Sequence, residues 1–294
     1  MSAPRADEID IVFLIVGANS EIGSATARFI RSEGGDVLTT TRRAPAEKDQ
    51  IQFDLSKSVA DFQIPDGVRS ACIFIAVARL AACAADPEGS ARINVSQTVA
   101  LVDRLVQKGI YTLFLSSNQV FGGEQPHVGA AAPLSPVSEY GRQKAKAEQL
   151  LHARMAAGAP IGVLRLSKVV SPGMKLVADW KRELAANRPI QAFGDMTLAP
   201  VPVEIVAQSI ANLMRDRLEV IAQLSGPRDM TYWELGQFLA AEMGSDVDLV
   251  QRTSAAAAGM PEGSSPRHTT LDSSFIAQRY GRVVPDILDV LESV

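Results

Sequence analysis

Ile11-Val-Phe-Leu-Ile-Val16 followed by Gly17-Ala-Asn-Ser-Glu-Ile-Gly23 is the stretch on which the reading of the chain turns. An unbroken apolar run rich in β-branched residues and ended by glycine predicts a strand buried on both faces, as in a parallel sheet. Ile22 to Arg31 then reads as a helix, with Ile22, Ala25, Phe29 and Ile30 on one side. A glycine-bracketed turn between strand and helix lets a pyrophosphate approach backbone N–H groups at a helix N-terminus. The middle glycine usual in such turns is missing, because Ser20 and Glu21 occupy its places. Serine takes little room and adds a hydroxyl donor. Phosphate binding by Gly17, Asn19, Ser20, Glu21, Ile22 and Gly23 therefore survives in this reading.

The alternation continues outward. Strands are expected at Asp36–Thr41, Ile51–Phe53, Ala71–Val77, Tyr111–Leu115 and Ile161–Leu166. Helices are expected at Ala91–Lys108 and Glu139–Ala157. Strands alternating with helices give an α/β fold, a doubly wound parallel sheet of Rossmann type. After Ser171 proline and glycine become frequent (Pro172, Gly173, Pro189, Gly194, Pro200, Pro202), and helical stretches dominate at Lys175–Ala186, Val203–Arg215 and Tyr232–Met243. Thr253 to Thr270 reads as a long loop, a length typical of lids, binding loops or disorder. The expected division is residues 1–170 as a dinucleotide domain and 171–294 as a smaller, mainly helical substrate part, with segments returning to the sheet.

Composition sets outer limits. The 294 residues carry a net charge of −4, 47% apolar and 21% charged residues, an ordinary globular mixture. At this length a core needs no disulfide or metal staple. Cys72 and Cys83 are too few for a disulfide framework. His127, His152 and His268 have no ligand spacing, so no metal is expected. Scattered charge argues against nucleic acid and membrane surfaces as partners. The apolar run before Gly17 falls far short of the roughly 20 residues of a membrane span. Met1 to Glu8 lacks a basic n-region, so the expected setting is the cytoplasm.

The second strand ends Thr39-Thr-Thr-Arg-Arg43. An acidic residue there would hold the ribose 2′-hydroxyl of NAD; none is present. Thr41 with Arg42 or Arg43 leaves room for, and pairs with, a 2′-phosphate. NADP(H) is the preferred cofactor and NAD(H) the alternative, with two merely solvated arginines as the plain rival reading. Asp54, after the third strand, can accept a hydrogen bond from an adenine amino group.

Tyr140-Gly-Arg-Gln-Lys144 puts Tyr and Lys one helical turn apart on one face. A free phenol, with a pKa near 10, responds poorly at neutral pH. A neighbouring ammonium and a positive nicotinamide ring are expected to lower it. Ser117, at the end of the strand beginning at Tyr111, can donate to a substrate carbonyl oxygen as charge develops there.

On these residues the sequence resembles the extended short-chain dehydrogenase/reductase superfamily, in its NAD-dependent epimerase/dehydratase family and dTDP-4-dehydrorhamnose-reductase-like branch. The resemblance runs from Val12 almost to the end. It includes Gly17–Gly23, Asp54-Leu55, Ala76-Val77-Ala78, Asn94, Ser117 in Ser-Ser-Asn-Gln-Val-Phe-Gly122, Pro136, Tyr140, Lys144, Leu164-Arg-Leu166 and a tail from Leu271 to Leu288 like the family's closing helix. It implies that Tyr140 exchanges the proton, Lys144 binds the nicotinamide ribose and Ser117 polarises the carbonyl. It further implies that Leu55, Ala76, Val77, Ala78 and Asn94 belong to the cofactor site, and that backbone near Val169 and Val170 faces the carboxamide. A homodimer is a family expectation.

Departures from the family pattern narrow the activity. Its sugar-nucleotide 4,6-dehydratases need an Asp-Glu pair after the hydroxyl residue; here stand Asn118 and Gln119, amides that cannot relay a proton. Its epimerases retain NAD and often carry the acid that Thr41 replaces. The expected activity is NADPH-dependent reduction of a keto group on a sugar nucleotide. The alternatives are an epimerase with tightly held cofactor, a reductase of a non-sugar carbonyl, and a non-catalytic NADP sensor. Phe193-Gly-Asp195 resembles a family turn, but the family's diphosphate-binding Arg is not evident in Met196–Pro202. Asn118, Gln119, Lys168, Lys175, Trp180 and Arg188 are the candidate substrate contacts, with a solvated or packing role the plain rival reading for the last four.

Overall fold

The computed structural model describes residues 12–171, 174–261, 263–286 and 288–289. Ile11, the Met1–Glu8 start and the Pro172-Gly173 pair lie outside the described residues. Among the described residues, seven parallel strands form the central sheet. Across it they run Ile221–Leu224, Ile161–Leu166, Tyr111–Ser117, Val68–Ile73, Val12–Val16, Asp36–Thr41 and Gln50–Gln52. The chain is a Rossmann-type α/β protein, as its opening stretch predicts.

The first strand shows why its sequence is apolar throughout. Phe13 and Ile15 pack into one core with Ile30, Leu113, Val206 and Ile210. Leu14 and Val16 point the other way, into a second core with Phe53, Leu101, Leu105, Phe114 and Leu151. Each face is therefore sealed, by the helices Glu21–Ser32 and Val203–Asp216 on one side and Thr98–Gln107 and Glu139–Ala156 on the other.

Several expected boundaries move. The strand expected at Ala71–Val77 begins at Val68 and ends at Ile73, leaving Phe74–Ala78 as loop along the crevice. The helix expected from Ala91 begins as a π-helical turn, Arg92–Gln97, before the α-helix Thr98–Gln107. Ile221–Leu224 and the parallel pair Ile190–Phe193 and Val250–Thr253 are strands that periodicity did not suggest. That pair joins the helices Lys175–Ala185 and Tyr232–Glu242 around a third core of Val177, Trp180, Leu184, Ile190, Leu235, Leu239 and Val250. In the tail a helix spans Ser274–Tyr280. No helix of the described residues is long and apolar enough to cross a membrane.

Candidate active site

The strand order reverses between Val12–Val16 and Val68–Ile73, and doubly wound sheets bind ligands outside the carboxyl ends of their strands at such a point. Two cavities lie there, of about 330 Å3 and about 570 Å3. Ser20, Phe74, Ile75 and Ala76 line both, so the two adjoin.

The smaller cavity is lined by Gly17, Asn19, Ser20, Thr41, Arg42, Asp54 and Val77 among others. Gly17 has φ +95°, and a Cβ on it would stand 2.7 Å from Ile75 Cγ1. A Cβ on Gly23 would stand 2.8 Å from the Gly17 carbonyl oxygen. Only glycines let the strand end and the helix start close this tightly. Ser20 caps the helix, its Oγ accepting from the Gly23 N–H at 3.1 Å. Thr41 Oγ1 accepts from Asn19 Nδ2 at 3.1 Å and from the Arg43 N–H at 3.2 Å, tying the turn to the second strand. Asp54 accepts from the Ser56 N–H at 2.9 Å and Ser56 Oγ at 2.8 Å. Those bonds, with Arg42 and Lys57 adding their charge, hold its carboxyl below the usual range. Arg43 is exposed and lines neither cavity. Leu55 is buried in the core and gives the crevice no side chain.

Asn94 is buried and acts on the crevice through Val77. Its Oδ1 accepts from the Val77 N–H at 2.8 Å while its Nδ2 donates to the Val77 carbonyl at 2.9 Å and to Gln143 Oε1 at 2.7 Å. Gln143 lies on the helix of Tyr140 and Lys144, so one amide links both walls.

The larger cavity brings Ser117, Asn118, Gln119, Tyr140, Lys144, Lys168 and Val169 together with Glu21, Ile22 and Ala78. Ser117 Oγ caps the short turn Asn118–Val120, accepting from the Gln119 N–H at 3.2 Å, and donates to Asn118 Oδ1 at 3.3 Å. Ser138 caps the helix Glu139–Ala156 and donates to Gln119 Oε1 at 2.9 Å. A Cβ on Gly141 would collide with the Gln119 carbonyl oxygen. The glycine between Tyr140 and Lys144 is thus what lets their helix rest on the Ser117 turn.

Lys144 Nζ donates to the Leu115 carbonyl at 2.8 Å, lies 4.6 Å from the Phe114 ring centroid and 5.9 Å from that of Tyr140. Burial pushes its pKa down to about 8, against the charge of Glu148, which raises it. Burial also holds the Tyr140 phenol well above its ordinary value. Desolvation of the phenolate is the main cause, and the neighbouring Cys83 adds to it.

Three expected substrate contacts lie elsewhere. Lys175 is exposed and paired with Asp179 at 2.5 Å, and Arg188 with Glu183 at 2.6 Å. Trp180 is a core residue packed with Leu184, Ile190 and Leu235. Val170 is buried in the same core, while Val169 lines the cavity. Sequence reasoning missed Ser116, Met196, Thr197, Leu198, Tyr232, Ser264, Pro266 and Thr269, all on the larger cavity. Only the length of the loop before Thr270 pointed toward the last three.

The sequence profile of the NAD dependent epimerase/dehydratase family matches residues 13–198. The chain belongs to that family, and it is an NAD(P)-dependent enzyme of the extended short-chain dehydrogenase/reductase type. No curated protein matches it. Among solved structures it is similar to DesIV, a dTDP-glucose 4,6-dehydratase from Streptomyces venezuelae with NAD and TYD bound. The TM-score is 0.81 and the identity 19%, over 96% of this chain and 95% of that one. A hypothetical dTDP-4-dehydrorhamnose reductase from Sulfolobus tokodaii superposes with a TM-score of 0.80 at 19% identity, over 95% and 98%. The UDP-glucose 4-epimerase of Thermus thermophilus with NAD gives 0.79 at 18%, over 96% and 97%. At such identities the likeness is one of fold, and the three named chemistries differ.

Proposed function

We propose that the protein is an NADPH-dependent reductase of a keto group on a sugar nucleotide. The observation that carries the reading is the set of Ser117, Tyr140 and Lys144 on one cavity, followed by the neutral amides Asn118 and Gln119. The crevice fits a dinucleotide: a Cβ at Gly17 or Gly23 would fill the turn, and the Glu21–Ser32 helix start is capped by Ser20. Gly17–Gly23 would hold the pyrophosphate, Thr41 and Arg42 the adenosine end, with Arg43 within the same exposed turn. No carboxylate stands at Thr39–Arg43, which supports NADP(H) over NAD(H). Bound there, a reduced nicotinamide supplies the hydride.

The chain's own residues do the rest. Ser117 Oγ donates a hydrogen bond to the carbonyl oxygen as negative charge grows on it. Tyr140 gives that oxygen its proton, and burial keeps the phenol protonated until then. Lys144, anchored on the Leu115 carbonyl, presents its ammonium beside Tyr140 and would hold the nicotinamide ribose. Asn118 and Gln119 hold the Ser117 turn and Ser138, and as neutral amides directly after Ser117 they cannot relay the proton of an elimination. Residues after 170 supply the rest of the substrate wall through Met196–Leu198, Tyr232 and the loop before Thr270.

One observation favours a second reading, a reductase of a non-sugar carbonyl. Among the described residues lining the larger cavity the cations are Lys144 and Lys168, and no arginine is present to take a diphosphate bidentately. NADPH oxidation with a panel of nucleotide 4-ketosugars and simple ketones separates the two. Turnover of a nucleotide ketosugar supports the first, and turnover confined to simple ketones supports the second. Interconversion of nucleotide sugars without net NADPH oxidation would make the protein an epimerase and overturn both.

A further inference from the structure

The loop between Thr253 and Leu271 is fastened at its far end by one carboxylate. Asp229 Oδ1 accepts from the Thr269 N–H at 2.6 Å, Thr269 Oγ1 at 2.9 Å and the Thr270 N–H at 3.1 Å. Its Oδ2 accepts from Thr270 Oγ1 at 2.9 Å and lies 3.0 Å from His268 Nδ1. Burial works against the charge on Asp229, but these bonds outweigh it and keep the carboxyl below its usual range. The loop is also pressed onto the catalytic side of the crevice. A Cβ on Gly123 would collide with Pro266 Cβ, and one on Gly263 would stand 2.8 Å from the Ser138 nitrogen. Gly263 thus lies against the residue that caps the Tyr140 helix, and the next residue, Ser264, enters the larger cavity.

Ser264 is 4% exposed, and its hydroxyl has no hydrogen-bond partner among the described residues. Ser116, 5% exposed on the strand that ends at Ser117, has a hydroxyl in the same condition on the same cavity. Buried hydroxyls are nearly always satisfied, and leaving one unpaired is costly. An orphan held by a fastened loop beside the Tyr140 helix is what a site built to bond its ligand looks like before the ligand arrives. Resting on the reductase reading of this cavity, we propose that Ser264 is a specificity-determining substrate contact. Its hydroxyl bonds a hydroxyl group neighbouring the reacting carbonyl, so the preferred substrate class is the α-hydroxyketone, as in a ketosugar, over the simple ketone.

The test compares Ser264→Ala with the wild type in two ways. Thermal unfolding without ligands reads the structural role. Removing an unpartnered buried hydroxyl should leave the melting temperature unchanged or raise it. A clear fall would reveal a partner within the protein and overturn the proposal. NADPH oxidation is then followed with dTDP-4-keto-6-deoxyglucose and its 3-deoxy counterpart, and with hydroxyacetone and acetone as the non-nucleotide pair. In at least one pair the wild type should prefer the hydroxylated member. Ser264→Ala should lower kcat/KM for that member about tenfold to a hundredfold and change the other less than about twofold. Wild-type turnover with no loss in the variant, or with equal loss on both members, overturns this inference alone. No wild-type oxidation with any of the four overturns the reductase reading and this inference with it.

Discussion

Glu148→Gln is the sharpest test of how the helix of Tyr140 and Lys144 is held. Glu148 lies one turn beyond Lys144 and faces Arg165 of the strand Ile161–Leu166, both side chains 3% exposed. Arg165 Nε lies 3.1 Å from each carboxylate oxygen and Nη2 lies 2.7 Å from Oε2. Arg165 Nη1 is committed to the Ala130 carbonyl at 3.0 Å and Gln223 Oε1 at 3.1 Å. The guanidinium therefore has nowhere to turn when the carboxylate charge is removed. Breaking one partner of such a buried pair costs about 3–5 kcal/mol. With an unfolding entropy near 2 cal/mol/K per residue, that lowers the melting temperature by roughly 5 to 8 °C for a chain of this length. The assay is thermal unfolding of the wild type, Glu148→Gln and the double variant Glu148→Gln/Arg165→Met, which removes both charges. The double variant should recover part of the loss, since it removes the uncompensated charge but leaves the Ala130 carbonyl and Gln223 without their donor. A single variant within about 1 °C of wild type, or a double variant much worse than the single, would refute the reasoning.

Other perturbations follow from the same geometry. The fall of the Lys144 pKa from 10.5 to about 8 corresponds to about 3 kcal/mol of destabilisation while the ammonium is buried and charged. The unfolded chain holds that proton more tightly, so this cost is full below pH 8 and fades as pH rises toward 10.5. Lys144→Met should thus be inactive yet more stable than wild type at pH 7, with the gap narrowing by about pH 10; thermal melts at the two pH values check it. Arg42→Ala combined with Arg43→Ala should weaken NADPH about tenfold or more and NADH less than about threefold, read by nicotinamide fluorescence titration. An unchanged preference would mark the two arginines as merely solvated. Asn94→Leu strips the Val77 N–H and carbonyl of their partner, and should weaken cofactor binding and cost about 2–3 kcal/mol of stability. Unaltered cofactor affinity would show that Val77 needs no clamp.

How much of this was legible in the sequence depended on whether a residue's role is set by its neighbours along the chain. The strand before Gly17 could be read because burial on both faces demands an apolar residue at every position. Tyr140 and Lys144 could be paired because helical periodicity alone places them on one face. Ile221–Leu224 escaped notice because it is short and carries Gln223, a polar residue whose amide is used up by the Val128 carbonyl at 2.7 Å. The strand pair Ile190–Phe193 and Val250–Thr253 is joined across a long stretch of chain, which no local pattern announces. Trp180, a candidate substrate contact by sequence, is core, since a helix against that strand pair needs a large apolar anchor. The clamp of Asn94 on Val77 and the place of Ser264 on the cavity both join residues distant in sequence. The cofactor crevice could be read along the chain; the substrate wall is built by folding alone.

The central claim is proton transfer from Tyr140 during net reduction, and Tyr140→Phe tests it most directly. With a carbonyl compound that the wild type reduces, NADPH oxidation by the variant should fall by at least about a thousandfold, while fluorescence titration shows NADPH bound within about threefold of wild-type affinity. Turnover equal to wild type in Tyr140→Phe would contradict the account.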